Sequence, residues 1–184
     1  MSQPSLVIRN GTIIDGSGRD GYEADLAIAD GRISAIGQNL PKGAEEIDAS
    51  GKLVTPGFVD VHTHYDAQVT WSERLSPSTW NGVTTVLLGN CGVGFAPCHA
   101  DQRDLLVNLM EGVEDIPGIT LTEGLKWDWE SFPEYLDSFP HTAVNAGMLV
   151  GHNTLRLMVM GMENRAPTEA ELDAMIALLD EGLR

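Results

Sequence analysis

The feature that most constrains the fold is a change of sequence pattern near Pro56. Before it, in residues 1–55, short apolar stretches with period-two alternation, such as Ala24–Ile28, are separated by turns that contain glycine. This pattern is typical of a small all-β unit. The pair Asn10-Gly11, which separates two such stretches, predicts a β-hairpin. No group of side chains in this part has the composition of a catalytic site, so we expect it to act as a scaffold.

After Pro56, in residues 56–184, buried strands alternate with helices. The predicted strands are Phe58–Val61, Thr84–Leu88 and Thr142–Val150. Strands that alternate with helices favour a parallel sheet built from βαβ units, so the fold class is α/β. A (β/α)₈ barrel of this kind needs about 250 residues, and residues 56–184 accommodate about half of one. We therefore expect the chain to be truncated.

Two helices are predicted from their first residues. Ser131 with Glu134, and Thr168 with Glu171, have the spacing of a capping box, in which each side chain accepts a hydrogen bond from the other residue's backbone N–H. The second helix carries apolar residues on one face, and we expect these to lie in the core: Leu172, Met175, Ile176, Leu179 and Leu183. Such a stripe indicates packing and carries no chemistry.

Two histidines, His62 and His64, follow the strand Phe58–Val61. Alternate residues of an extended strand point to the same side, so the two imidazoles project together while Thr63 faces away. Two neutral imidazoles in this arrangement can chelate one divalent ion, and imidazole suits zinc, iron or nickel. The alternative is a hydrogen-bonded polar pair at a strand end. We favour the metal site, because active sites of α/β barrels lie where the strands end.

A third candidate ligand, Cys91, lies in the glycine-rich segment Gly89–Gly94, directly after the second predicted strand. That position places Cys91 at the same edge of the sheet as the two histidines. Zinc accepts sulfur and nitrogen ligands together, so Cys91 could complete a site with them. The alternative is a small hydrophobic residue buried in a glycine turn, which is how most free cysteines behave.

Two further residues are candidates at this edge. Asp66, two residues after His64, could orient a metal ligand. The alternative for Asp66 is a solvated loop aspartate. His152 follows the third predicted strand and is a candidate pocket residue, with a structural hydrogen bond as the alternative.

The charge balance restricts the expected partners. The chain has 11 Lys and Arg residues against 27 Asp and Glu residues, which gives a formal net charge of −16. Such a surface repels phosphate backbones and anionic lipids, so neither nucleic acid nor a membrane is an expected partner. The first residues do not have the pattern of a signal peptide, and two cysteines do not suggest a disulfide framework. We therefore expect a cytoplasmic protein that acts on a small molecule.

The segments Pro56–Asp66 and Trp80–Gly92 closely resemble the amidohydrolase superfamily, and within it the D-aminoacylases, or N-acyl-D-amino-acid deacylases. The segments Val7–Gly16 and Asp48–Val54 look like strands of the small β-domain of that superfamily. The resemblance implies a small N-terminal β-sandwich domain, followed by the first part of a metal-dependent (β/α)₈ TIM-type barrel.

The resemblance also implies a metal site and a reaction. The sequence Gly-Asn-Cys-Gly at Gly89–Gly92 is specific to the deacylase branch, where the cysteine is a metal ligand and hydantoinases have a carboxylated lysine. His62, His64 and Cys91 are then ligands of zinc, as one or two ions, or of another divalent metal. The implied reaction is hydrolysis of the amide bond of an N-acyl-D-amino acid, which gives a carboxylate and a D-amino acid.

In the family, an aspartate general base and two further histidines come from later barrel strands, and none of them is assigned to a residue of this chain. We therefore expect the 184-residue chain alone to be inactive. One alternative is hydrolysis of a cyclic amide or ureide, as in hydantoinases and dihydroorotases, which the cysteine at position 91 disfavours. The other is an inactive metal-binding or structural fragment.

Overall fold

A computed structural model describes residues 3–114 and 116–184. The described chain divides into two compact units, of which the first ends at Pro56 and the second spans Gly57–Arg184. The described residues of the first unit form one mixed sheet, in which β2 is antiparallel to β1 and β3, while β4 and β5 run parallel to β1. Its strands are β1 (Leu6–Ile13), β2 (Tyr22–Ala29), β3 (Arg32–Gly37), β4 (Glu45–Asp48) and β5 (Leu53–Val54).

The core of this first unit is small and contains Ile13, Ala24 and Leu26. A sandwich requires a second sheet that packs on this one, and the described residues of the unit do not form it. The β-sandwich therefore stays a prediction.

The predicted hairpin at Asn10-Gly11 is wrong. β1 runs through both residues as one strand, and its register with β2 shifts between Ile8 and Gly11, which marks a β-bulge. Asn10 has the left-handed backbone that a hairpin turn also requires, with φ 59°. Here its side chain donates to Asp48 Oδ1 (3.0 Å) and its backbone N–H donates to Asp25 Oδ1 (3.0 Å). Because β2 and β4 hold the bulge from both sides, the chain continues instead of reversing.

The second unit contains a parallel three-stranded sheet in the order β6-β7-β8. Its strands are β6 (Phe58–Asp60), β7 (Val83–Leu88) and β8 (Asn145–Met148). All three lie at the predicted positions, and the predicted parallel pairing is confirmed. Parallel strands end at the same edge of a sheet, so the segments that follow the three strands meet there. A complete barrel stays a prediction.

Five α-helices lie in the described part of the second unit, and the two whose starts were predicted begin directly after their predicted caps. They are α1 (Arg103–Glu114), α2 (Gly118–Gly124), α3 (Phe132–Asp137), α4 (His152–Met160) and α5 (Glu169–Gly182). Both predicted capping boxes are confirmed, at the starts of α3 and α5. Helix α2 was not predicted, because its glycines and threonines have low helix propensity. None of these helices combines the length and the apolar character needed to cross a bilayer.

The core of the second unit is built around aromatic side chains. Trp129 is 2% exposed, and its Nε1–H donates to the carbonyl of Phe95 (2.9 Å). The ring of Tyr135 lies 4.9 Å from that of Trp129 and 4.9 Å from that of Phe139, measured between centroids. Because Phe95 is fully buried among these residues, the segment that follows β7 is anchored in the core.

The apolar stripe of α5 is only partly in the core, so that prediction is wrong for most of its residues. Met175 is buried and packs with Leu155, Met160 and Leu179. The other stripe residues are exposed: Leu172 at 48%, Ile176 at 49% and Leu183 at 73%. Within the described residues α5 packs on α3 and α4, and this packing leaves the three exposed residues of the stripe in contact with solvent.

Candidate metal centre

The two histidines leave β6 together, as predicted. The strand ends at Asp60, and the rings of His62 and His64 lie edge to face with their centroids 5.4 Å apart. Thr63 points away into the protein and is buried. Its hydroxyl and its backbone N–H both donate to the carbonyl of Leu87, at 2.7 and 3.1 Å. These bonds to β7 fix the backbone between the two histidines.

Cys91 is held in a tight turn after β7. Its backbone is left-handed (φ 58°, ψ 10°), as are those of Gly89 and Gly92 on either side (φ 77° and 73°). Position 89 requires glycine, because an added Cβ would lie 2.2 Å from the carbonyl oxygen of Leu149. This turn directs the thiol of Cys91 toward the two histidines.

The three predicted ligands come together. The Sγ atom of Cys91 lies 3.5 Å from Nε2 of His62 and 3.6 Å from Nε2 of His64, and one ligand atom from each residue lies within 4.8 Å of the others. A tetrahedral zinc ion with ordinary Zn–S and Zn–N bond lengths separates its sulfur and nitrogen ligands by about 3.6 Å. The donor set and its spacing therefore fit a zinc-type ion, with room for further ligands.

The local electrostatics favour the form of histidine that binds metals. Partial burial lowers the pKa of His64, and the neighbouring His62 lowers it further. At neutral pH His64 is therefore the neutral imidazole that a metal ligand must be. Nδ1 of His64 is buried and has no hydrogen-bond partner among the described residues, while its Nε2 faces Cys91.

Asp66 is buried, so the alternative of a solvated loop aspartate is wrong. Its Oδ1 accepts a hydrogen bond from the backbone N–H of Gly89 (2.9 Å), and its carbonyl accepts one from the hydroxyl of Tyr135. Burial raises the pKa of the Asp66 carboxyl to about 7. Among the described residues, the side chain of Asp66 is thus hydrogen-bonded to the turn that carries Cys91 and to neither histidine ring.

His152 lies at the same edge but outside the group of three donors. It is the exposed first residue of α4. It lies beside Gly92, since a Cβ added to Gly92 would be 3.8 Å from the backbone N of His152. Its role as a pocket residue stays a prediction.

Sequence reasoning missed Asn90, which is buried beside Cys91. The Nδ2 group of Asn90 donates to the carbonyls of Leu87 (2.9 Å) and Thr63 (3.1 Å). A signal was present, since a polar residue between a buried strand and a candidate ligand is unusual. The hydrogen bond from Asn90 to the carbonyl of Thr63 joins residues 27 positions apart in the sequence, so only the structure reveals it.

Comparisons with known proteins find similar sequences and structures among amidohydrolases. A sequence profile of the amidohydrolase family matches residues 45–184. D-aminoacylase of Alcaligenes xylosoxydans xylosoxydans is 41% identical over 187 residues, which cover 99% of this chain and 36% of that protein. N-acyl-D-aspartate deacylase of the same organism is 38% identical, over 100% of this chain and 35% of that protein. The chain thus spans about a third of the length of these curated relatives.

Solved structures show the same similarity. A D-aminoacylase, studied for the role of its binuclear metal centre, superimposes with a TM-score of 0.81 at 36% identity, over 98% of this chain and 36% of that one. N-acyl-D-glutamate deacylase of Bordetella bronchiseptica, bound to zinc and a phosphonate inhibitor, gives 0.79 at 37% identity, over 99% and 36%. A shorter match links the chain to D-hydantoinase of Geobacillus stearothermophilus, which is 56% identical over 61 residues, or 33% of this chain and 12% of that protein.

Proposed function

The chain belongs to the amidohydrolase family, and on this premise we propose that the full-length protein is a zinc-dependent deacylase that hydrolyses the amide bond of N-acyl-D-amino acids. Its products are a carboxylate and a D-amino acid. The observation that carries the proposal is the position of the Cys91 thiol, 3.5 and 3.6 Å from the two imidazoles. The similarity to D-aminoacylase and to two other N-acyl-D-amino-acid deacylases supports the choice of substrate.

The proposed setting of the site is a (β/α)₈ barrel. The three strands are parallel, helices α1, α2 and α3 lie between β7 and β8, and the candidate ligands follow the first two strands. That is the edge at which barrel enzymes place their active sites. In the full-length protein, the remaining strands would supply two further histidines and the aspartate general base that the resemblance implies.

His62, His64 and Cys91 are the residues of this chain that would hold zinc, as one or two ions. When bound, zinc supplies Lewis acidity, which polarises an amide carbonyl and lowers the pKa of a coordinated water to about 7. The chain's own contribution is to present a thiol and two imidazoles in one place. His62 and Cys91 are exposed, so a substrate can reach the donor atoms from solvent.

The second candidate function is hydrolysis of a cyclic amide or ureide. The local 56% identity to D-hydantoinase favours it. The residue at position 91 argues against it, because the resemblance implies a carboxylated lysine for such enzymes and this chain has Cys91 beside the two histidines. An inactive metal-binding fragment is the third alternative.

The test is an assay of the full-length protein with zinc on three substrates: an N-acetyl-D-amino acid, its L-enantiomer and a hydantoin. We expect release of the D-amino acid and little hydrolysis of the other two. Equal rates for both enantiomers would contradict the D-specific proposal. Turnover of the hydantoin alone would favour the cyclic alternative, and no turnover of any of the three substrates would contradict both proposed reactions.

A further inference from the structure

The segments that carry the candidate ligands are joined to each other by side-chain hydrogen bonds. One segment is His62–His64 and the other is Gly89–Gly92. Asn90 donates from its Nδ2 group to the carbonyl of Thr63 (3.1 Å), which lies between the two histidines. The same Nδ2 group donates to the carbonyl of Leu87 (2.9 Å). An amide nitrogen carries two hydrogens, so both donors of Asn90 are used.

The carbonyl of Leu87 is where these bonds converge. Besides Asn90, it accepts from the hydroxyl of Thr63 (2.7 Å) and from the backbone N–H of Thr63 (3.1 Å). Asn90 and Thr63 are 8% and 7% exposed, so little water is available to replace these bonds if one partner is removed.

A second connection runs through Asp66, which belongs to the histidine side of the site. Its Oδ1 accepts from the N–H of Gly89 at 2.9 Å, directly before Asn90. The residue is fully buried, and an added Cβ on Gly94 would lie 3.4 Å from this same oxygen. The carboxylate is therefore enclosed by both ends of the turn that carries Cys91.

The turn needs such support because Cys91 has φ 58°, in the left-handed region that side-chain-bearing residues rarely adopt. Residues persist there when their surroundings hold them. If the bonds of Asn90 or Asp66 are lost, the backbone of Cys91 can relax, and its Sγ atom moves away from the histidines.

We propose that Asn90 and Asp66 are positioning residues, which hold the Cys91 thiol at chelating distance from His62 and His64 before a metal binds. The proposal rests on the metal site of the proposed function. It adds that the ligand geometry belongs to the folded chain and is not imposed by the ion.

The experiment is a Co²⁺ titration of the metal-free full-length protein, followed by the near-ultraviolet absorption that arises when a thiolate binds cobalt. Loss of a group that orients a metal ligand typically weakens metal affinity about 10–100-fold. We expect Asn90→Ala and Asp66→Ala to raise the Co²⁺ dissociation constant within that range and to weaken the thiolate band. Asp66→Asn keeps an oxygen that can accept from Gly89, so it should recover most of the affinity lost in Asp66→Ala.

The matched control is Trp129→Phe, which removes a buried hydrogen bond to the carbonyl of Phe95, a bond that involves neither ligand segment. It should lower the melting temperature and leave the Co²⁺ dissociation constant unchanged. If Asn90→Ala does not fold, the two Asp66 variants decide the question.

Three outcomes would overturn the proposal. Wild-type affinity in both Asn90→Ala and Asp66→Ala, beside a normal wild-type band, would overturn the positioning role and leave the metal site standing. Weakening of all variants, Trp129→Phe included, in proportion to their loss of stability would show a general effect of unfolding. Absence of the thiolate band in the wild-type protein would overturn the metal site itself.

Discussion

The donor atoms of the candidate metal centre depend on a few residues with unusual surroundings. His64 is kept neutral by burial, Cys91 has a left-handed backbone, and Gly89 is pressed against the carbonyl of Leu149. The sequence alone predicts which residues meet, because their spacing along two strands places them at one edge. It does not predict Asn90 or the role of Asp66, since their bonds connect segments 23 to 27 residues apart.

The first prediction at this scale concerns His64. In the full-length protein, His64→Ala removes a metal ligand, so deacylase activity should fall by more than about 100-fold, beyond the loss typical of groups that only orient a ligand. Added zinc should not restore it. The measurement is steady-state turnover of an N-acetyl-D-amino acid across a range of zinc concentrations. The control is His99→Ala, an exposed histidine outside the donor group. Unchanged turnover in His64→Ala would contradict the metal site.

The second prediction separates the two cysteines, both of which are free thiols. Cys98 is fully buried, and burial raises the pKa of its thiol to about 11. At pH 8 it is therefore protonated and inaccessible, and an alkylating reagent should not modify it. The exposed Cys91 should be modified, and zinc bound beforehand should slow its modification. Peptide mass spectrometry measures both sites, with Cys91→Ser as the control. Rapid labelling of Cys98 in the folded protein, or no effect of zinc on Cys91, would argue against this assignment.

At the scale of elements, the sequence predicts features that are formed within one element, and it fails for features that depend on partners distant in sequence. The capping boxes of α3 and α5 involve residues three apart, and both are formed. The bulge at Asn10 depends on β2 and β4, which are distant in sequence, so Asn10-Gly11 alone predicted a turn that does not exist. The stripe of α5 shows helical spacing, but spacing does not reveal which neighbour covers it.

The prediction for elements concerns the start of α5. The hydroxyl of Thr168 accepts from the N–H of Glu171, and the Glu171 carboxylate accepts from the N–H of Thr168 (2.7 Å). Thr168→Ala removes the first of these bonds and should lower the free energy of unfolding by about 1 kcal/mol. Thr168→Ser keeps a hydroxyl and should stay close to the wild type. Urea unfolding of the full-length variants provides the values, and equal stability of the Ala and Ser variants would mean that this cap contributes nothing.

At the scale of the whole molecule, the described sheet of the second unit has two open sides. β6 and β8 each pair with β7 alone among the described strands. Apolar side chains next to these strands are exposed, among them Phe58 at 57% and Leu149 at 48%. Free strand edges beside apolar surface recruit other strands. The relatives are about three times as long as this chain, and in the proposed full-length barrel further strands would cover this surface.

We therefore predict that a polypeptide of residues 1–184 alone self-associates and has no deacylase activity. Its open strands and apolar surface should produce oligomers or aggregates, while the full-length protein remains dispersed. Size-exclusion chromatography with light scattering measures the association, and the D-amino-acid assay measures activity. A monodisperse, active polypeptide of this length would contradict both the exposed-edge argument and the need for residues outside this chain.

The convergence of three donors on the carbonyl of Leu87 has a consequence for natural variation. A carbonyl belongs to the backbone, so any residue at position 87 can supply it, provided that the side chain fits beside Gly147, where an added Cβ would come within 2.6 Å of the present leucine. Asn90 supplies its hydrogen bonds from the side chain, and no residue of another type offers two donors at the same reach. We therefore expect substitutions to be tolerated at position 87 and not at position 90, although the two residues share one hydrogen bond.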